Sequence, residues 1–266
     1  LETLLGVSDL GRSKVDLATV ATTPIVFNSF KNEPYRILMQ IAYADDPTRV
    51  LVKKASGVML ATDLKGKKLG LQKRTSAHYY FTDLFLSENG IAQKDVELID
   101  INAKDFVDAL KRGDLDGVVT WEPHLGNVKT ALGADNLLEF SGKTAYQKDF
   151  FLVANTDVLA TNLDDVAKLG KALARAETYM QSNREQSQTI LARILKMDIA
   201  TVKSNWNNYH VRSFIDDASL NELKAEADWA VRNKLVDASK TPDYRNLLDM
   251  RVMKQLAPQN IAVRDD

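Results

Sequence analysis

Lys73-Arg74-Thr75-Ser76-Ala77-His78-Tyr79-Tyr80 decides the fold, read with what stands on either side of it. Before it come the lysine-rich turn Asp63-Leu64-Lys65-Gly66-Lys67-Lys68 and a short strand at 68–71. After it runs an amphipathic helix at 77–89, with Phe81, Leu84 and Phe85 on one side and Asp83, Ser87 and Glu88 on the other. Asn89-Gly90 supplies a left-handed helix stop. A second strand–helix pair follows. Residues 96–101 alternate as a strand would, Asn102 caps a helix to about Arg112, and Gly113 ends it. The strand Gly117-Val118-Val119-Thr120 then runs into Trp121-Glu122-Pro123-His124.

Strands alternating with helices predict an α/β fold with mostly parallel pairing and right-handed crossovers. Upstream, a strand at 15–20 leads into Thr22-Thr23-Pro24, where Thr23 suits an N-cap and Pro24 a first helical position. Strands are expected at 36–41, 49–52, 137–140 and 150–154. From Asn162 onward the chain reads as almost all helix: 163–181, 184–196, a short piece from 199, and 220–233. The extended segments near 50–54 and 151–155 read as paired crossings between two lobes.

The 266 residues carry 35 Lys+Arg against 36 Asp+Glu, so nothing points to nucleic acid or an anionic membrane as partner. The cluster Lys65, Lys67, Lys68 reads as a solvated turn rather than a phosphate site. There is no cysteine, which removes disulfides and thiolate chemistry from these residues. The chain opens Leu1-Glu2-Thr3-Leu4-Leu5 without a methionine, so its start reads as processed, truncated or partly missing.

In an open α/β sheet, ligands sit where strands turn into helices at their carboxyl ends. Thr75 and Ser76 stand at such a turn, as do Thr22 and Thr23. Free N–H groups at a helix start favour an anion, and hydroxyls add neutral donors. Plain capping explains the same residues. Trp121 could wall a site and Glu122 could accept from a ligand amine or pair with Arg74; a bare anion would be repelled by Glu122 unless a cation neutralised it. His78 and His124 lack partners at metal-ligand spacing, so no metal or other cofactor is expected. Each could contact a ligand or simply pack. Tyr43 follows a strand and could line the site, as could Tyr146; His210 reads as structural.

Taken in order, Val15-Asp16-Leu17-Ala18 before Thr22-Thr23-Pro24, Asp63-Leu64-Lys65-Gly66-Lys67, the Thr75–Tyr80 block, Gly113-Asp114-Leu115-Asp116-Gly117 and Trp121-Glu122-Pro123-His124 resemble substrate-binding proteins of ABC importers. The group resembled is the nitrate/sulfonate/taurine and thiamine-precursor (NMT1/THI5-like) class. The resemblance implies a two-lobed periplasmic-binding-protein-like fold of type II, with extra C-terminal helices on the first lobe. Lobe 1 would hold 1–53 with 155–266, and lobe 2 would hold 54–154. Family members usually begin with a further strand and helix that carry a first ligand loop, and these are expected to be missing here or supplied by a swapped segment.

The resemblance further implies an extracytoplasmic, non-enzymatic monomer that captures a small anionic or zwitterionic organic ligand in an interlobe cleft and delivers it to an ABC permease. Thr22, Thr23, Tyr43, Thr75, Ser76, His78, Trp121, Glu122 and His124 are the expected contacts, with Thr75-Ser76 facing Thr22-Thr23. The alternatives are an enzyme on the same fold, making a pyrimidine precursor, or the sensor domain of a receptor. Enzymes of the class use cysteine, which this chain lacks.

Overall fold

A computed structural model describes residues 15–31, 33–142 and 146–264. The chain divides into two compact units, one holding Asp45–Gln147 and the other the residues up to Ala44 together with those from Lys148. Each has its own five-stranded sheet. The first chain passage between units falls at Ala44–Asp45 and the second at Gln147–Lys148.

The strands in chain order are β1 (Leu17–Ala21), β2 (Tyr35–Asp45), β3 (Thr48–Lys53), β4 (Lys68–Leu71), β5 (Glu97–Asp100), β6 (Gly117–Trp121), β7 (Leu137–Phe140), β8 (Gln147–Asn155), β9 (Tyr209–Asp216) and β10 (Ile261–Ala262). The Asp45–Gln147 unit orders its sheet β5-β4-β6-β3-β7. Here β4 pairs parallel to both β5 and β6, as a strand–helix alternation requires. The entering strand β3 pairs antiparallel to β6 and β7. The core lies between this sheet and its helices, with Leu51, Phe106, Leu110, Val118 and Val128 packed together. Gly117 makes the β3–β6 approach possible, because a Cβ there would lie 2.5 Å from the Leu51 carbonyl oxygen.

The other unit orders its sheet β1-β8-β2-β9-β10. The expectation of mostly parallel pairing does not hold there. β1 runs antiparallel to β8 and β2 antiparallel to β9, while the short β10 pairs parallel to β9. The expectation that the chain beyond Asn162 is nearly all helix also fails at β9, which lies beside β2 inside the sheet. Helices Leu163–Ser182, Arg184–Leu195 and Asp217–Arg232 do form there, as the periodicity predicts. Their unit is centred on Leu38, Met39, Leu152, Val166, Val252 and Met253.

The helix expected at 77–89 is not uniform. Ser76–Tyr79 is α, Tyr80–Phe85 is a π stretch, and Leu86–Glu88 returns to α. Tyr80, Phe81 and Phe85 are all buried by it.

Candidate functional site

In the Asp45–Gln147 unit, β4 ends in a turn whose backbone is tied down twice. Lys73 N–H donates to Asp100 Oδ1 at 3.0 Å, and Arg74 N–H donates to His78 Nδ1 at 3.3 Å. Arg74 sits in the left-handed region at φ 60°, where a side chain is uncommon. Thr75 is the N-cap residue by backbone, but its hydroxyl donates back to Gln72 O at 2.7 Å and does not cap the helix. Ser76 is the first helical residue and is buried.

His78 is buried one turn in. Burial chiefly, with Lys73 adding to it and Asp100 opposing, brings its pKa down to about 4. An Nδ1 that accepts an N–H bond fits a neutral ring with its proton on Nε2. His78 is therefore a fixed strut of the turn at neutral pH, able to donate only through Nε2.

At the end of β6, Trp121 packs against the unit's core and meets His124 edge-on at 5.7 Å. Burial lowers the His124 pKa. Glu122, joined to Pro123 by a cis peptide bond, accepts from Gly126 N–H at 3.0 Å through Oε2. That satisfies an N–H in the first turn of the helix His124–Leu132. The Thr120 hydroxyl beside them is fully buried and has no hydrogen-bond partner among the described residues.

In the other unit, the helix Thr22–Ser29 opens at Thr22, with Ala21 as its N-cap. The expected Thr23 cap is therefore corrected, and Pro24 is the third helical residue. Extended backbone at Ala21 (φ −79°, ψ 170°) lets the helix begin earlier, and the hydroxyls find partners elsewhere. Thr22 Oγ1 donates to Asp149 O at 3.4 Å, and Thr23 Oγ1 to Glu226 Oε2 at 2.6 Å. Tyr43 stacks on His210 at 4.4 Å across the β2–β9 pair, with Phe214 edge-on at 6.1 Å.

The Thr23 bond leads to a buried polar cluster that the sequence reading missed. Helix Asp217–Arg232 packs on Thr22–Ser29 and carries Glu222 and Glu226 on adjacent turns. Glu226 is 0% exposed. Asp149, on β8, is also buried and accepts from Gln40 Nε2 at 2.7 Å. Burial, above all, pushes the Glu226 carboxyl up to about 8; Thr23 and Lys148 pull it down, while Glu222 and Asp149 add to the rise. Burial and Asp149 push Glu222 up to about 7. The Lys148 ammonium is brought down to about 8 by burial, with Glu226 opposing. The one local signal was Glu222 and Glu226 at i, i+4 on an otherwise apolar face with Leu223, Ala227 and Ala230.

The structure thus gathers Thr75, Ser76 and His78 at one turn, and Trp121, Glu122 and His124 at another, within one unit. In the other unit it joins Thr22 and Thr23 to Asp149 and Glu226, and puts Tyr43 in an aromatic stack.

Comparison with known proteins gives the following. A family model described as "NMT1/THI5 like" matches residues 6–187. The "Putative aliphatic sulfonates-binding protein" of Bacillus subtilis is 23% identical over 250 residues, covering 92% of this chain and 73% of that protein. A "Putative binding protein" of Brucella abortus is 28% identical over 160 residues; the match takes in 57% of this chain, and the chain spans about half, 48%, of that relative's length. Among solved structures, the periplasmic aliphatic sulphonate binding protein SsuA from Escherichia coli superposes with a TM-score of 0.73 at 19% identity, covering 92% of this chain and 84% of that one. The desulfurization enzyme DSZB superposes with a TM-score of 0.66 at 15% identity, covering 92% and 86%. These two show a shared fold, that of periplasmic binding proteins.

Proposed function

This chain belongs to the NMT1/THI5-like family, and we propose that it is an extracytoplasmic solute-binding protein of an ABC importer. It captures a small anionic or zwitterionic organic ligand, of sulfonate or aminosulfonate type, and hands it to a permease. The observation that carries this reading is the alignment over 92% of the chain with a relative named for binding aliphatic sulfonates. Thr75 and Ser76, with Thr22 and Thr23, are the proposed polar contacts. Trp121 and Tyr43 supply apolar surface, and His78, Glu122 and His124 flank the turns.

The enzyme reading has one specific point in its favour, the fold shared with DSZB. The absence of cysteine from the 266 residues weighs against thiolate chemistry in them. We therefore read the protein as binding and releasing its ligand unchanged.

Calorimetric titration of the purified protein with short alkanesulfonates and 2-aminoethanesulfonate tests this, with mass spectrometry of the recovered ligand. Binding of at least one compound, recovered intact, is expected. Ser76→Ala should weaken that binding by about 0.5–1.5 kcal/mol for a neutral hydrogen bond, or about 1.5–3 for a charged one. Failure of every sulfonate to bind would sink the ligand class, and multiple-turnover conversion would replace binding with catalysis.

A further inference from the structure

We propose that the turn between helices Arg184–Leu195 and Ile199–Asn205 docks on an anionic lipid surface, with Ile194, Leu195 and Ile199 entering the headgroup layer and Arg193, Lys196 and Lys203 pairing with its phosphates. This goes beyond the solute-binding reading and does not depend on which ligand is bound.

The first ground is apolar surface. Ile190, Ile194, Leu195 and Ile199 are all exposed, Ile194 at 64% and Leu195 at 50%. A protein surface ordinarily shows such residues singly, and here they crowd into 190–199. Ile190 and Ile194 share one face of their helix, a turn apart. The two helices pack on each other through other residues, with Ser187, Gln188 and Val202 buried. The exposed isoleucines and leucine are therefore left over after packing.

The tip is also fixed in shape. Lys196 ends the first helix in the left-handed region at φ 52°, and Met197 N–H donates to Ala192 O at 3.0 Å. Asp198 Oδ2 accepts from Ala200 N–H at 2.8 Å and from Thr201 N–H at 3.2 Å. A tip formed in advance loses little freedom on docking.

The second ground is charge. Residues 184–203 hold Arg184, Arg193, Lys196 and Lys203 against Glu185 and Asp198. Arg184 and Glu185 lie at the other end of the first helix, about 12 Å from Arg193 at about 1.5 Å per residue. Asp198 is taken up by capping. Arg193, Lys196 and Lys203 thus surround the apolar tip, and none has an ion-pair partner among the described residues. Cations at a helix end are ordinary by themselves. Cations around exposed isoleucine and leucine make a surface suited to a lipid interface. The near balance of charge over the whole chain conceals this local excess.

The same charges choose the occupant. A second copy would set the three cations against their own counterparts across a two-fold contact, which is repulsive. Anionic headgroups complement them. Helices of 12 and 7 residues are too short to span a bilayer, so the contact is peripheral and reversible.

Co-sedimentation of the purified protein with vesicles tests this, using phosphatidylcholine alone and phosphatidylcholine mixed with phosphatidylglycerol. The protein should bind the mixed vesicles only and should leave them at about 1 M salt, where charges are screened within about 3 Å. Ile194→Ser with Leu195→Ser should weaken binding about tenfold or more. Arg193→Gln with Lys203→Gln should weaken it about 20–30-fold, each cation near such a surface being worth about fivefold. Met59→Ser, at an exposed apolar residue of the other unit, should leave it unchanged. All five positions are exposed, and thermal melts matching wild type would confirm that the variants fold. Binding to neither vesicle, or equally to both, would overturn the inference, as would binding that survives both double substitutions. Self-association abolished by the serine pair, without vesicle binding, would also overturn it and make the tip an interface between copies. None of these outcomes touches the solute-binding reading, which the calorimetric titration decides separately.

Discussion

Glu226→Gln should change the way stability depends on pH. The Glu226 carboxyl is fully buried and titrates at about 8, against an ordinary value of 4.5. Between those limits the folded protein keeps a proton that the unfolded chain has released. Stability is therefore greatest below the lower value and falls as pH rises through the upper one. One group can contribute at most about 1.4 kcal/mol per pH unit, so from pH 5 to pH 8 the upper bound is about 3–4 kcal/mol. Lys148 acts in the next window. Its pKa is brought down from 10.5 to about 8, so the folded state sheds a proton that the unfolded chain keeps, and stability recovers above about pH 8. The wild type should thus show a minimum near pH 8.

Glutamine at position 226 keeps a carbonyl oxygen for the Thr23 hydroxyl and does not titrate. At pH 5 the two proteins should agree within about 1 kcal/mol, the worth of one neutral hydrogen bond. By pH 8 the variant should be the more stable, with a residual fall up to about pH 7 from Glu222, whose carboxyl is also raised. Denaturant unfolding followed by tryptophan fluorescence is suited to this, since Trp229 lies on the same helix, edge-on to Phe27 at 6.2 Å. Parallel pH–stability curves for the two proteins would refute the argument.

Gly117→Ala should cost more than about 3 kcal/mol or prevent folding, because its Cβ would meet the Leu51 backbone oxygen at 2.5 Å; a melt within a degree or two of wild type would contradict the β3–β6 approach. Glu122→Ala removes the acceptor for Gly126 N–H and should cost about 0.5–2 kcal/mol, with Glu122→Gln recovering most of it, as chemical denaturation would show. In NMR titrations the His78 ring should stay neutral down to about pH 5, given a pKa near 4, whereas a midpoint near 6.5 would mean that Nδ1 does not accept the Arg74 N–H. Because that pKa is depressed, the ring supports the fold at neutral pH and that support is lost as pH falls toward 4.

Much of the architecture was legible because its signals are local. β4 and β7 lie at the expected residues, since short apolar runs bounded by turn residues read the same in sequence and in space. Asn102 caps its helix turn through Lys104 N–H and Gly113 ends the helix at φ 84°, both as the residue types suggest. β9 was hidden because its apolar alternation is diluted: Arg212 lies over the Phe214 ring, and His210 is stacked on Tyr43. The Thr23 cap failed for a different reason. A buried carboxylate 203 positions away takes the hydroxyl, and no local pattern announces such a partner. Glu222 and Glu226 were overlooked likewise, since acids on an amphipathic helix ordinarily face water.

The π stretch Tyr80–Phe85 bears on how this lineage can tolerate length change. Such a stretch holds one residue more than regular winding would need. Deleting a single residue there should not break the helix; it should rewind to ordinary pitch. The angular cost is small, because the six residues of the π stretch sweep about the angle that five residues sweep at about 100° each. Leu86 would keep its buried face and Ser87 its exposed one. The helix would survive with everything after it on the same face, so a single deletion should be better tolerated inside this segment than in a regular stretch of helix.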